Sequence, residues 1–216
     1  MPPTTSDPEK RPVGDIVCTG YARPGRDLRF RRNERPVVYM VCTGNAARSP
    51  MAAAMLRDLD SEGRINVRSA GVLAVEGHPL GPRTRAALAR HGLADHDHRS
   101  RQLDSHDAAD ADLVVVMEPL HLLWIRRELP SLAPISGSLR RLARDLDPPA
   151  GADSAGDDAT AGTSADLRRR VTSLGLARLT PEAWEEVVDP AGGSQDAFDR
   201  CSDELSLLVA QLHRRL

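Results

Sequence analysis

Residues 37 to 55, Val-Val-Tyr-Met-Val-Cys-Thr-Gly-Asn-Ala-Ala-Arg-Ser-Pro-Met-Ala-Ala-Ala-Met, constrain the fold more than any other stretch of the chain. Val37 to Val41 is a continuous β-prone run, the pattern of a strand covered on both faces. Pro50 suits a first helical position, and Met51, Met55 and Leu59 then recur at one-turn spacing. A strand, a loop from Cys42 to Ser49 and a helix therefore follow one another directly. Backbone N–H groups of such a loop, with those left unpaired at a helix start, converge on a concavity that suits a dianion.

Spacing within the loop carries the chemistry. Five residues separate Cys42 from Arg48, so the chain can curl until the sulfur lies at the bottom of the cradle and the guanidinium closes one wall. The guanidinium fork holds two oxygens of a phosphate group at once. A helix N-terminus beside a cation favours a thiolate, which makes Cys42 a candidate phosphate-attacking nucleophile. Ser49 can donate its hydroxyl to that sulfur, and Asn45 tolerates a left-handed backbone. Thr43, Gly44, Asn45, Ala46, Ala47 and Ser49 are the candidate phosphate-binding positions.

Val-Cys-Thr-Gly-Asn-x-x-Arg-Ser-Pro-Met-Ala resembles the phosphate loop of the low-molecular-weight protein tyrosine phosphatases, a family with arsenate reductase relatives. The likeness extends to Ser69-Ala70-Gly71, Arg90-His91-Gly92, Arg99 to Leu103, Asp112 to Met117 and Asp189-Pro190, and covers about residues 36 to 146 and 187 to 216. It implies that Asp189 is the general acid, that Ser69 and His91 belong to a network steadying Asn45, and that no metal or organic cofactor takes part. A local repeat, Val17-Cys18-Thr19-Gly20, lacks both the preceding strand and the arginine, since Pro24 stands six after Cys18.

Composition sets the class. With 216 residues, 40% apolar and 28% charged, the chain suits one soluble α/β domain with additional segments. A formal charge of −2 with no concentrated basic run argues against nucleic-acid or membrane-surface binding. Three scattered cysteines make no disulfide framework, and no apolar run approaches the roughly 18 residues of a membrane span. A cytoplasmic protein is expected.

Residues 1 to 35 read as a partly disordered N-terminal extension, and 36 to 216 as the phosphatase-like domain. Strands at Ile65–Val67 and Leu113–Met117, and one marked by Ile135, alternate with helices after Pro50, from Pro82 to His91 and after Met117. The last of these is expected to turn Leu120, Leu123, Trp124 and Leu129 inward. Leu139, Leu142 and Leu146 give one face of a short helix. A flexible insertion is expected at about 147 to 180, of low complexity from Asp147 to Asp166 and helical from Leu167 to Leu179. A helix from Pro181 to Val188, N-capped by Thr180, then leads into Asp189. A closing helix from Ser194 turns Phe198, Cys201, Leu205, Leu208 and Leu212 inward. The fold class that follows is three-layer α/β/α, with a four-stranded parallel sheet and the phosphate-binding loop after its first strand.

Asp95-His96-Asp97-His98 reads as a solvated turn, not a metal cluster, because no second ligand pair completes it. Asp-Pro occurs at Asp7, Asp147 and Asp189; only Asp189 lies between an apolar pair and an amphipathic helix able to anchor it. The expected activity is phosphomonoester hydrolysis through a phosphocysteine on Cys42, with phosphorylated protein or a small phosphate ester as substrate and orthophosphate or other oxyanions as ligands of the loop. Phosphotyrosine is implied by the resemblance, yet Val75 and Ala191 stand where such members commonly carry aromatics. Two alternatives remain: an arsenate reductase borrowing an external thiol, since Ala47 replaces an adjacent cysteine, and a phosphoprotein-binding module without turnover.

Overall fold

The computed structural model describes residues 35–149 and 163–216. The N-terminal extension up to residue 34, with Cys18, and positions 150–162 of the insertion lie outside the described residues.

Four parallel strands, β1 (Val37–Cys42), β2 (Asn66–Gly71), β3 (Leu113–Val116) and β4 (Ser136–Ser138), form one sheet in the order β2-β1-β3-β4. β1 is central and all six of its residues are buried, which is why its sequence is unbroken by polar side chains. The chain steps from β1 to β2 on one side, then back across β1 to β3 on the other. Right-handed crossovers put residues 48–59 on one face and the later part of the second connection, Leu103 to Ala111, on the other, while Leu80, Ala87 and Leu88 pack with the first. One face therefore packs Val38, Met40, Leu113 and Val115 against α1 (Arg48–Leu59), α4 (Leu139–Asp145) and α6 (Gln195–His213). The other packs Tyr39, Val41, Val114 and Val116 against Leu103, Ala108 and the α3 residues Leu122 and Ile125. The three-layer architecture and the parallel sheet agree with expectation, as does α2 (Pro82–Arg90), which ends at Gly92 with φ 72°.

Several local expectations give way to packing. α1 begins at Arg48, two residues before Pro50, because neither the first nor the third helical N–H has an intrahelical acceptor to lose. Leu59 is 40% exposed and Leu56 takes the inward place. In α3 (Pro119–Glu128) the inner face is His121, Leu122 and Ile125, whereas Leu120 and Leu123 are 68% and 50% exposed. Leucines at 120, 122 and 123 suit two helical phases, and polar partners for His121 select the one that periodicity disfavoured. β4 begins after Ile135, which closes a 3₁₀ turn.

Part of the segment expected as a flexible insertion is folded into a helix. α5 (Ser164–Ser173) opens inside the low-complexity stretch, capped by the Thr163 side chain, and Gly175 in a left-handed conformation ends it ahead of a 3₁₀ turn at Leu176–Arg178. Leu167 and Val171 are fully buried in the main core. Asp112 fastens the amino-terminal ends of β1 and β3 to this helix, accepting from Val37 N at 2.8 Å, Ser164 Oγ at 2.7 Å and Arg168 Nε at 2.5 Å. Leu167→Ala is expected to destabilise the fold by about 2–5 kcal/mol, measured by urea unfolding; a mobile segment would tolerate it. The expected helix over 181–188 reduces to a 3₁₀ turn, Ala183–Glu185, capped by Glu182 and not by Thr180. Among the described residues, no helix is long and apolar enough to cross a membrane.

Candidate active site

Cys42 ends β1 and Arg48 opens α1, so the intervening loop lies at the carboxyl end of the central strand, where the sheet order reverses. Its conformation is fixed from below. Gly71, at the end of neighbouring β2, is so close that a Cβ there would sit 2.5 Å from Thr43 O, 2.8 Å from Asn45 N and 3.0 Å from the Gly44 carbonyl carbon. All three neighbours are backbone, so the loop must move to admit it. Gly71→Ala is expected to lower turnover about 10²-fold, the scale of a 1 Å misplacement, and to weaken vanadate inhibition in parallel. Unchanged inhibition would show that the loop tolerates the contact.

Asn45 holds the loop open in the left-handed region, at φ 51°. Its Nδ2 donates to Ser49 Oγ at 3.0 Å, its Oδ1 accepts the Arg101 N–H at 3.0 Å, and its carbonyl accepts from His98 Nε2 at 2.8 Å and Ser100 Oγ at 3.2 Å. A carbonyl only accepts, so His98 carries its proton on Nε2. Burial pushes the His98 pKa down despite that bond, favouring the neutral ring. Thr84 Oγ1 donates to Ala46 O at 2.9 Å.

Ser49 Oγ stands 3.0 Å from Cys42 Sγ and 3.2 Å from Ala70 O. Its single proton can serve either acceptor. A thiol leaves that proton on the Ala70 carbonyl, whereas a thiolate draws it to sulfur.

Arg48 is 1% exposed and held by four oxygen acceptors. Nη1 donates to Glu118 Oε2 and to Val187 O, both at 3.1 Å; Nη2 donates to Thr43 Oγ1 at 3.1 Å and to Asp189 Oδ2 in a short ion pair. Nε is buried and makes no hydrogen bond. Behind the guanidinium, His121 Nε2 lies 2.9 Å from Glu118 Oε1 and 3.1 Å from Thr43 Oγ1. The His121 hydrogen bond, with help from Arg48 and against the opposing effect of burial, holds the Glu118 carboxyl down at about 2. A depressed folded pKa contributes stability that is fully present above the unfolded value near 4.5 and is lost as pH falls toward 2. The Tm difference between the wild type and Glu118→Gln should therefore shrink as pH drops through that window, and a constant difference would contradict it.

A family model described as low molecular weight phosphotyrosine protein phosphatase matches residues 37–133. A low molecular weight protein-tyrosine-phosphatase of Streptomyces coelicolor is 33% identical over 169 residues, covering 76% of this chain and 83% of that protein. The chain belongs to this phosphatase family. A probable family member from Ralstonia nicotianae, EpsP, is 38% identical over 105 residues, 49% of this chain and 69% of its own length. Among solved structures, a cysteine-to-serine mutant of the arginine phosphatase YwlE, with a phosphorylated active-site serine, superposes with a TM-score of 0.62 at 27% identity, covering 83% of this chain and 95% of that one.

Cys42, Arg48, Asp189 and the loop from Thr43 to Ser49 lie together at one end of β1. Two of the expected supports do not. His91 Nε2 lies 3.1 Å from Ser202 Oγ and 3.3 Å from Asp203 Oδ1, joining α2 to α6 away from Asn45. Ser69 pairs with Met40 along the sheet and makes none of the Asn45 contacts. His98, Ser100 and Arg101 take that work, because the segment from Ser100 to Leu103 runs beside Gly71 and directly beneath the loop. The supposed solvated turn Asp95–His98 thus ends in a buried site residue.

Glu118 and His121 were also missed. A signal for Glu118 existed: an acid just past a buried strand belongs at the same sheet edge as Cys42. Asp147 lies far from this edge, since α4 leaves the carboxyl end of β4 and runs away from it, and the Asp147 carbonyl accepts from Arg170 on α5 at 2.7 Å.

Proposed function

We propose that this chain dephosphorylates phosphoproteins through a phosphocysteine on Cys42, with phosphotyrosine as the substrate. The observation that carries the reading is the convergence of Cys42, Arg48 and Asp189: the sulfur at the base of the loop, the buried guanidinium on its wall, and a carboxylate reaching it from 141 residues away. The thiolate attacks phosphorus, forming S–P while the P–O bond to the leaving group breaks. Asp189 gives that oxygen its proton. Water then attacks the phosphocysteine, S–P breaks, Asp189 recovers a proton from the water, and orthophosphate leaves. The Nε and Nη2 edge of Arg48 and the loop N–H groups hold the equatorial oxygens, so the incoming phosphate competes with Asp189 for Nη2.

Phosphoarginine is a second reading. It is favoured by the aliphatic surroundings, in which Leu73, Val75 and Val188 are 69%, 66% and 66% exposed, and by the arginine phosphatase likeness. Arsenate reduction with Cys201 as the internal thiol is disfavoured, because Cys201 is buried and its pKa is pushed up to about 12, chiefly by that burial. The chain is expected to act in the cytoplasm and without a metal ion.

Release of orthophosphate from p-nitrophenyl phosphate without added thiol or metal tests the reaction class. Phosphotyrosine and phosphoarginine peptides, compared by kcat/KM, test the substrate. Arsenate turnover only with a small thiol, or phosphopeptide binding without turnover, would replace the proposal.

A further inference from the structure

We propose that Glu185 is a positioning residue for the proton-donor loop, holding Asp189 at the site through a buried carboxylate clamp on β4 and α4. The proposal rests on the reading of Asp189 as proton donor. Glu185 is fully buried. Its Oε1 accepts from Arg141 Nη2 at 2.6 Å and from the Glu182 N–H at 2.9 Å, and its Oε2 accepts from Ser138 Oγ at 2.5 Å. Ser138 is the last residue of β4, and its hydroxyl also accepts the Arg141 N–H at 3.2 Å. A single hydroxyl thereby joins the strand end, the first turn of α4 and the segment leading to Asp189. The Trp184 ring covers the clamp beneath two guanidiniums, with Arg141 5.2 Å and Arg144 4.1 Å from its centroid.

Contacts between clamp and donor point toward Arg48. Arg140 Nε donates to Glu186 O at 2.9 Å, Val187 N–H donates to Met117 O at 2.7 Å, and Val187 O accepts from Arg48 Nη1 at 3.1 Å. Beyond them Val188 is 66% exposed and the Asp189 side chain 38% exposed; its carboxylate is held directly only by Arg48 Nη2 and the Ala191 N–H among the described residues, so the backbone leading into it sets where those two contacts place it. Four residues of extended chain span at most about 14 Å, short enough for a slip at Glu185 to be passed to Asp189. A purely structural carboxylate is the competing account. Burial on its own would raise the Glu185 pKa, but Arg141, Ser138 and the Glu182 N–H together hold it below the usual carboxylate range.

Steady-state turnover of phenyl phosphate, a poor leaving group, and 2,4-dinitrophenyl phosphate, a good one, separates the accounts. Glu185→Ala is expected to slow the first ester about 10- to 100-fold and the second no more than about threefold, as for a donor displaced by roughly 1 Å. Glu185→Gln, whose amide oxygen still accepts from Arg141 and the Glu182 N–H, should recover most of the loss. If the alanine variant does not fold, Ser138→Ala, which removes one hydrogen bond of the clamp, must concentrate its loss on phenyl phosphate. In the Asp189→Asn background, Glu185→Ala should add no further leaving-group dependence. Equal losses on both esters, or losses that add to those of Asp189→Asn, would overturn the proposal. Wild-type turnover of the dinitrophenyl ester tests the phosphatase reading separately. An Asp189→Asn variant without leaving-group dependence would remove the donor, and this proposal with it.

Discussion

Cys42→Ser is expected to abolish phosphate release, by about 10⁴-fold or more, while leaving the fold and oxyanion binding largely intact. The scale follows from what the substitution removes. At neutral pH a serine hydroxyl keeps its proton where the thiolate attacks, and the hydroxyl nearest to Sγ, Ser49 Oγ at 3.0 Å, is no base: it already accepts from Asn45 Nδ2 and has a proton of its own to donate. Binding should survive because the guanidinium and the loop backbone are fixed independently of the sulfur, by Glu118, Val187 O and Thr43 on one side and by the Asn45 network on the other. The measurements are p-nitrophenyl phosphate turnover, thermal unfolding and vanadate affinity. Residual activity within tenfold of wild type would take Cys42 out of the mechanism. Loss of vanadate affinity would mean that the sulfur shapes the cradle as well as attacking.

Asp189→Asn is expected to cut turnover of phenyl phosphate by about 10² to 10⁴, the usual contribution of a positioned general acid, and to do less harm to esters whose leaving group is already acidic. An amide keeps the shape of the side chain and can still accept from the Ala191 N–H, as Oδ1 does now at 3.0 Å. It has no proton to transfer. It also ends the ion pair with Arg48, so binding of orthophosphate should tighten or hold steady while turnover of the poor ester collapses. Asp147→Asn should change neither quantity. Equal loss across good and poor leaving groups would refute the donor role, and a leaving-group-dependent loss at Asp147 would transfer it there.

The strand-loop-helix around Cys42 was legible in the sequence because everything that shapes it is close in the chain. Val37 to Val41 forms a strand by its own composition, Asn45 takes the left-handed turn and Arg48 follows at the spacing that closes the cradle. The closing helix was legible for the same reason, since Phe198, Cys201, Leu205 and Leu212 mark one face by periodicity alone. Of the three Asp-Pro pairs, the one at Asp189 is set apart by the apolar pair before it and the amphipathic helix after it.

What the tertiary structure decided are the pairings across long separations. Glu118 meets Arg48 from 70 residues away because β3 lies next to β1 in the sheet, an order that no local pattern encodes. His98 and not His91 supports Asn45, because the chain beneath the loop is the segment that runs beside Gly71. α3 turned by about one residue from its expected phase to give His121 to Glu118, and α5 entered the core through Leu167 and Val171 although its first turn is written in linker composition. Periodicity reports which side chains share a face. Which face meets which neighbour depends on crossover handedness and sheet order, and those are fixed only when the whole apolar surface is buried at once.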